Sequence, residues 1–357
     1  MITLQNKMIF CTLFDSNYLD KGLALYQSMM KTIKKFRLYI FAFDEKCFNV
    51  LLGMKLKNVI LISVEDIMDI RLRKLKKERS LAEFCWTCSP IVIEYVLLNY
   101  REILCTYLDA DIYFFASPED AIQEVIETQC SVGLIEHRFE KNWEYGENIF
   151  KVGKYCIQFN TFLNTKEGLQ VLRDWKEKCL DWCYARFENG KYGDQKYPDK
   201  WKQKYCCIHE IQNLGMGVAP WNLHLYSSIR EKEGKIWMKY RNKEFFLIFY
   251  HFEWMKYLDY KKNCLGLYQF HGKEIRKKLL IIYGKYFKTI NNIRKYLDEM
   301  YGIEFEHMFV DEKSFLGDNY TIKNFCLKEG IVYGLKNWKG FWTNNIIDIN
   351  ALLQRRG

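Results

Sequence analysis

Proline is scarce in this sequence, and several kinds of segment are missing from it. Only 4 of the 357 residues are proline, no low-complexity tract occurs, and hydrophobic residues make up 49% of the chain. Long disordered segments are therefore not expected. No apolar run approaches the roughly 20 residues that cross a bilayer, and the start is too polar for a signal peptide. These absences favour a folded chain that stays in the cytoplasm and buries a substantial core.

Cysteine is present, but without the spacing of a disulfide framework. The 13 cysteines are odd in number and scattered, which fits reduced, buried thiols better than disulfides. Cys85 and Cys88 form a CxxC pair, yet no second CxxC and no HxxxH follows. A role as small core residues is therefore favoured over a zinc site.

Acidic residues are nearly absent from residues 271–295, where much of the formal net charge of +10 is concentrated. Glu274 stands there against the basic residues Lys273, Arg276, Lys277, Lys278, Lys285, Lys288, Arg294 and Lys295. Apolar residues recur at helical spacing, so the segment predicts a basic amphipathic helix. Three interpretations stay open, in order of preference: a solvated surface helix, a contact with anionic lipid headgroups, and a nucleic-acid patch. No nucleic-acid module signature supports the last, and no nucleic-acid partner is expected.

Glycine-rich phosphate loops are also absent. The chain opens with a strand at residues 8–13, a polar loop that contains Asp15 and Asn17, and a helix at residues 18–31, as nucleotide-binding α/β domains do. It lacks the dinucleotide fingerprint and the P-loop, which disfavours nicotinamide enzymes and ATP-loop enzymes. For Asp15 or Asn17 taken singly, capping of the helix is favoured over a role in nucleotide binding.

Strands and helices alternate up to residue 108, which is the pattern of a doubly wound sheet. Further strands are predicted at residues 36–43 and 58–63, and a helix at residues 90–99 with Ser89 as its N-cap and Pro90 as its first residue. The sequence thus predicts an α/β fold with a mixed sheet flanked by helices. Residues 1–265 would form this domain, and residues 266–357 the basic helix and a small subdomain.

Two aspartates interrupt an apolar, aromatic stretch. Residues 103–108 show little alternation, which indicates a central strand covered on both faces, and Asp109 and Asp111 follow at its end. Side chains of a strand repeat every second residue, so both acids point the same way, into the crevice where open α/β sheets bind ligands. Two carboxylates so close favour a divalent cation between them, whereas a solvated turn is the plain alternative.

Later elements also place polar residues near their ends. Asn160 lies within a predicted strand, and Asp194 and Gln195 follow a glycine in an irregular segment. His251 ends an apolar strand predicted at residues 244–251, although a lone histidine there is more often structural. Residues 137–154 have the composition of a mobile loop over a site or of a plain surface excursion.

Together these motifs resemble the GT-A glycosyltransferases, particularly the family 8 type that includes bacterial lipopolysaccharide galactosyltransferases and glycogenin. The resemblance covers about residues 8–255. It rests on the order of the loop at residues 12–18, LDAD at 108–111, FNT at 159–161 with GDQ at 193–195, and His251. The HxxGxxKPW tail of that family is replaced by HFEW, and FNTFLNT lacks the NxG turn. The implied activity is transfer of a sugar from a nucleotide-diphosphate donor, UDP favoured, in bacterial surface polysaccharide synthesis.

The resemblance also implies roles for individual residues. Asp109, Asp111 and His251 take the positions of Mn²⁺ or Mg²⁺ ligands, and Asp194 and Gln195 take catalytic positions. The implied donor-binding residues are Thr12, Leu13, Phe14, Asp15, Asn17, Tyr18, Trp86, Thr87, Leu108, Asp109, Ala110, Asp111 and Asn160.

The implied acceptor is a glycan or a lipid-linked sugar, and retention of the anomeric configuration is favoured. The basic helix would then fit an anionic membrane, on the inner face of the plasma membrane. A sugar-nucleotide hydrolase, a non-catalytic binding protein and a nucleotidyltransferase are the alternatives. The acidic first loop counts against the nucleotidyltransferase, which needs a basic, glycine-rich loop for its triphosphate.

Overall fold

The computed structural model describes residues 7–139, 151–253, 255–258, 262–264, 273–309 and 346–348. The chain divides into two units, Met1–Gly217 and Val218–Gly357. The domain boundary expected at residue 265 falls inside the second unit. The boundary at residue 265 between a transferase domain and an appendage stays a prediction. Most of the loop expected at 137–154, and most of the small strands expected after residue 300, lie outside the described residues.

A mixed sheet forms the centre of the first unit. The described strands of this unit are β1 (Met8–Phe14), β2 (Phe36–Ala42), β3 (Val59–Ser63), β4 (Leu104–Leu108), β5 (Ile112–Phe114), β6 (Val132–Glu136), β7 (Tyr155–Leu163) and β8 (Ile208–Glu210). The sheet order is β3-β2-β1-β4-β7-β6-β8. The four strands β1 to β4 are parallel, β7 is antiparallel to both of its neighbours, and β8 is parallel to β6.

Helices flank this sheet, so the predicted fold class is confirmed. The described α-helices of the first unit are α1 (Leu19–Thr32), α2 (Glu45–Met54), α3 (Ile70–Glu78), α4 (Leu81–Asn99), α5 (Glu119–Glu127), α6 (Lys166–Asp181) and α7 (Trp201–Lys204). On the face covered by α6, Trp175 stacks on Phe162 of β7 with 6.0 Å between ring centroids. The mostly buried strands β1, β2, β4 and β7 explain the near-continuous apolar runs of the sequence.

Helix α4 begins nine residues earlier than the sequence analysis predicts, so the N-cap role of Ser89 is wrong. The N-cap is Ser80, which forms a capping box with Glu83: the Glu83 N–H donates to Ser80 Oγ, and the Ser80 N–H donates to Glu83 Oε2 at 2.9 Å. Pro90 lies inside the helix. Since burial of an apolar face stabilises a helix more than local propensity does, one interior proline does not end α4.

Among the described residues, α4 is the one helix long and apolar enough to cross a membrane. Half of the apolar stretch of α4 is buried within the protein, and core helices of folded domains can have the same length and hydrophobicity. One such helix is therefore weak evidence for a membrane span.

The second unit contains small antiparallel sheets and one long helix. Its described elements are β9 (Tyr226–Lys232), β10 (Lys235–Tyr240), β11 (Lys243–Phe246), β12 (Phe249–His251), β13 (Lys256–Tyr257), β14 (Lys262–Cys264), α8 (Lys273–Tyr301) and β15 (Ile346–Asp348). The single strand predicted at residues 244–251 is wrong, because Leu247 and Ile248 separate β11 from β12. Both residues are buried, and the Leu247 N–H donates to the Ile236 carbonyl at 2.7 Å.

Helix α8 confirms the helix predicted for the basic segment, and its apolar face belongs to the core of the second unit. The buried apolar residues of α8 are Leu279, Ile282, Tyr283, Tyr286, Phe287, Ile290, Ile293 and Leu297. Tyr286 stacks on Phe252 at 3.7 Å between centroids. Two of the basic residues are also engaged, since Lys285 pairs with Glu231 at 2.7 Å and the Arg294 guanidinium lies 3.5 Å from the Tyr257 ring centroid.

Candidate functional site

The candidate site lies at the carboxyl ends of β1 and β4, which are adjacent and parallel. Asp109 follows β4 directly. Its N–H donates to the Gln158 carbonyl at 3.1 Å, and its carbonyl accepts from the Ile112 N–H at 3.4 Å. This turn holds Asp109 and Asp111 at the end of the central strand, and both remain partly exposed. The predicted position of the two aspartates is therefore confirmed.

The loop after β1 is acidic and ordered by its own side chains. Asp15 is 6% exposed and caps a short 3₁₀ turn, accepting from the Asn17 N–H at 3.2 Å and from Asn17 Nδ2 at 2.8 Å. Burial, assisted by the nearby charge of Asp44, raises the pKa of Asp15. The capping role considered for Asp15 is thus present, and the Asn17 side chain is used within the loop.

Tyr18 connects this loop with the two aspartates. Burial, together with the charges of Asp111, Asp15 and Asp109, raises the pKa of the Tyr18 hydroxyl. Acids from the ends of two strands therefore act on one hydroxyl, and the buried Lys21 ammonium, 3.8 Å from the centroid of the Tyr18 ring, partly offsets their charge. Carboxylates held close together favour a bound cation, because like charges destabilise one another.

Asp194 is the carboxyl buried beside Asp109. The Asp194 side chain is 5% exposed. Burial is the main cause that raises the pKa of Asp194 to about 8, and the charge of Asp109 is the second cause. Its backbone is fixed, since Trp175 Nε1 donates to the Asp194 carbonyl at 3.0 Å. Its Oδ2 has no hydrogen-bond partner among the described residues. Gln195 follows with a partly exposed side chain.

Trp86 and Thr87 are neighbours in α4 with different surroundings. The Trp86 ring lies against Gly193, where an added Cβ would come within 3.4 Å of Cε3. The backbone of Gly193 also has φ +48°, so both the close Trp86 ring and the left-handed backbone favour glycine here. Trp86 therefore packs next to Asp194. The Thr87 hydroxyl donates to the Glu83 carbonyl and accepts from Arg79 Nη1, which makes it part of the helix packing.

The strand register places Asn160 and Thr12 on opposite faces of the sheet. Asn160 pairs with Tyr107 and therefore shares the face that leads to Asp109. Its Nδ2 donates to the Ile157 carbonyl at 2.9 Å, while its buried Oδ1 has no partner among the described residues. Thr12 lies on the face of Thr106 instead, as its register with β4 requires. The remaining donor-site candidates are buried apolar residues: Leu13, Phe14, Leu108 and Ala110.

His251, in the second unit, ends β12 as a buried residue. It is 4% exposed, and its N–H donates to the Val218 carbonyl at 3.0 Å. Its ring is nearly perpendicular to the Trp221 ring, with 5.4 Å between centroids. The backbone of His251 is thus fixed within the second unit, and its role as a metal ligand stays a prediction.

Two residues near Asp109 were missed by the sequence analysis. Ser89 opposes the increases in the pKa of Asp194 and of Tyr107, and its hydroxyl donates to the Cys85 carbonyl at 3.5 Å. Gln158 lies beside Asp109 in β7, fully buried. Strand alternation gives a signal for Gln158, since it stands two residues before Asn160 in an otherwise apolar strand. No signal separates Ser89 from an ordinary helix residue.

Comparison with known proteins gives relatives without an assigned activity. No family model matches the sequence. Two uncharacterised proteins of Bacillus subtilis strain 168 are similar. YfnD is 25% identical over 294 residues, which are 82% of this chain and 90% of YfnD. YfnF is 28% identical over 300 residues, which are 82% of this chain and 94% of YfnF.

Similar solved structures include two sugar transferases. The galactosyltransferase LgtC, in complex with donor and acceptor sugar analogues, has a TM-score of 0.42 at 14% identity over 62% of this chain and 79% of LgtC. Mouse xyloside xylosyltransferase 1 has a TM-score of 0.42 at 11% identity over 70% of this chain and 98% of the enzyme. At these identities and TM-scores, neither likeness carries a conclusion about activity.

Proposed function

We propose that this chain is a metal-dependent glycosyltransferase of the GT-A type. It would move a sugar from a nucleotide-diphosphate donor, UDP favoured, to a glycan or lipid-linked acceptor in bacterial surface polysaccharide synthesis. One observation carries the proposal. Asp109, Asn160 and Asp194 come from separate motifs, yet they meet on one face at the carboxyl end of β4, and two of them keep polar atoms without a described partner. Such a polar, enclosed end of a sheet is built to bind a ligand.

Under this proposal, Asp109, Asp111 and His251 hold a divalent cation. They offer two carboxylates and an imidazole, a group that can hold a metal ion. Oxygen-rich sets of this kind suit Mn²⁺ or Mg²⁺. The charges of Asp111, Asp15 and Asp109 act together on Tyr18, so Asp15 adds to the negative charge of the two proposed ligands. When bound, the ion would stabilise the charge that develops on the leaving diphosphate.

The remaining residues would bind and orient the donor. The ordered loop at Asp15 would hold the nucleoside, and Asn160 and Asp194 would contact the sugar. An inverting enzyme needs a carboxylate base at the acceptor, for which Asp194 is the candidate, whereas the amide of Gln195 cannot act as a base. We propose retention of configuration, with Gln195 on the acceptor side. Determination of the product anomer by NMR tests this point.

The proposed setting is the cytoplasm, at the inner face of the plasma membrane. Lipid-linked acceptors are reached there, and the charged face of α8 offers a contact with anionic headgroups. The apolar face of α8 does not take part, because it is buried in the second unit.

The first experiment is titration calorimetry of UDP, GDP, CMP and dTDP, each with and without Mn²⁺. We expect one nucleotide, UDP favoured, to bind with Mn²⁺ and to lose at least roughly tenfold in affinity in Asp109→Asn and Asp111→Asn, as loss of a charged ligand predicts. Asp120→Asn, at an exposed position of α5, is the matched control and should bind nucleotide as the wild type does. Circular dichroism checks that all three variants are folded.

Two outcomes would contradict the proposal. Metal-independent binding that both aspartate variants keep unchanged would remove the metal role. Absence of nucleotide binding under any condition would exclude a glycosyltransferase that uses a nucleotide-sugar donor. Hydrolysis of a nucleotide sugar that no glycan acceptor accelerates would instead indicate the hydrolase.

A further inference from the structure

Gln158 is a buried amide that makes no hydrogen bond through its side chain among the described residues. It lies in β7 with 0% of its surface exposed, and both Nε2 and Oε1 are without a partner there. Buried polar side chains in folded proteins are nearly always bonded, because an unpaired donor or acceptor loses its hydration without compensation. Asn160 and Asp194 each leave one atom unpaired, whereas Gln158 leaves both ends of its amide unpaired.

The position of Gln158 directs this amide to the candidate site. The Gln158 carbonyl accepts from the Asp109 N–H at 3.1 Å, so the two residues face each other across adjacent strands. The register of β7 with β4 continues to this bond, which puts Gln158 on the face of Asn160 and Tyr107, while the pairing of β7 with β6 is irregular over the same stretch. Gly217 packs over the amide, and a Cβ there would lie 3.3 Å from Nε2.

We propose that Gln158 is a specificity-determining residue that binds a hydroxyl group of the donor sugar. This inference rests on the proposed function. An amide offers a donor and an acceptor together, and a sugar hydroxyl matches both. A diphosphate only accepts hydrogen bonds and would leave Oε1 unpaired. The nucleoside is assigned to the loop at Asp15, so the sugar is the part of the donor that reaches the face of Asn160.

Enclosure of the amide explains why it would select among sugars. The amide is buried beneath Gly217, so a hydrogen bond to a sugar hydroxyl would form away from water. A buried polar group of this kind strongly rejects an analogue that lacks the matching hydroxyl, because the group is then left unpaired. The cost in the ligand-free state is a less stable core, as is common at functional sites.

The test is Gln158→Met, which keeps the length of the side chain and removes both polar atoms. Titration calorimetry with Mn²⁺ compares the glucose and galactose conjugates of UDP, GDP and dTDP with the free nucleotides. We expect the variant to bind the preferred nucleotide sugar roughly 5- to 100-fold more weakly, and the free nucleotide as before. Its melting temperature should be equal or higher, since an unpaired buried amide is gone. Gln123→Met on α5 is the control and should change neither affinity.

Each outcome separates this inference from the proposed function. If Gln158→Met leaves the ratio of nucleotide-sugar to nucleotide affinity unchanged, the assignment of Gln158 is overturned. A lower melting temperature with that same ratio would mean that the amide is bonded to an internal water. If the wild type binds neither the nucleotide sugars nor the free nucleotides, the proposed function fails, and this role of Gln158 fails with it.

A second measurement identifies the hydroxyl. Monodeoxy analogues of the preferred sugar are bound to the wild type and to Gln158→Met. The wild type should discriminate against one analogue by a factor similar to the effect of the substitution, and the variant should not. Equal discrimination in both proteins would overturn the assignment.

Discussion

Asp194 is the residue whose charge state matters most for the proposed chemistry. Its folded pKa of about 8 exceeds the ordinary value of 3.8, because burial and the Asp109 charge disfavour the carboxylate. The folded protein therefore holds a proton that the unfolded chain releases. The contribution to stability is full below about pH 4 and is lost as pH rises through 8.

We expect Asp194→Asn to remove this slope. In EDTA, the wild type should lose stability between pH 5 and 9 by a few kcal/mol relative to the variant, which has no proton to release. Urea unfolding at a series of pH values measures the difference. Asp120→Asn should follow the wild type. Parallel curves for the wild type and Asp194→Asn would show that the carboxyl is not held neutral.

The sequence identified the charged and amide residues of the site better than their partners. Asp109 and Asp111 stand out because they follow an apolar strand with a spacing that points both acids the same way, as a divalent cation between them requires. Gln158 stands out less, because its position two residues before Asn160 indicates a shared strand face but not burial or missing partners. Burial and the absence of a described partner are properties of the fold, and no local pattern reports them.

At the scale of elements, the strands of the central sheet were predictable and two boundaries were not. β1, β2 and β4 are apolar except for Thr12, Arg37 and Thr106, so composition locates them. The predicted start of α4 is wrong because proline is also typical of a first helical residue, which favours Pro90. The capping-box pattern of Ser80 and Glu83 marks the actual start. The break between β11 and β12 leaves no trace in the sequence, since Leu247 and Ile248 are as apolar as the strands they separate.

The edge strand β8 depends on a charged cluster at Glu210. Burial alone would raise the pKa of Glu210, but hydrogen bonds from Lys154, Tyr155 and Lys202 outweigh it and lower the pKa to about 2. The bonds from Lys154 and Tyr155 connect the end of β8 with the start of β7, which is not its neighbour in the sheet, and the bond from Lys202 connects it with α7. The cluster thus supports an edge strand of three residues that pairs with β6.

We expect Glu210→Gln to loosen β8 and to reduce acid sensitivity. Because the folded pKa is lowered, the carboxylate stabilises the fold above about pH 4.5, and this contribution is lost as pH falls towards 2. The variant should be less stable at pH 7 by about 1–3 kcal/mol, with faster hydrogen exchange at residues 208–210. The difference from the wild type should shrink on acidification. Glu127→Gln on α5 is the control, and equal exchange in both variants would contradict the role of Glu210.

At the scale of the whole molecule, the buried apolar face of α8 changes how membrane binding should be tested. Removing residues 271–357 would take away core residues such as Tyr283 and Tyr286, so loss of vesicle binding in such a truncation would have two causes. Substitution of exposed lysines avoids this. Lys288 and Lys295 are exposed on α8, and Lys34 and Lys35 are exposed in the first unit, which gives a control with the same change in charge.

We expect Lys288→Glu with Lys295→Glu to weaken sedimentation with phosphatidylserine vesicles by at least roughly tenfold, since each basic residue near anionic lipid contributes about 1 kcal/mol. Lys34→Glu with Lys35→Glu lowers the formal charge equally and should have a smaller effect if contact is made through α8. Binding of both proteins should fall with salt and should be absent on neutral vesicles. Equal weakening in the two double variants would show that the net charge of +10, rather than α8, attracts the membrane.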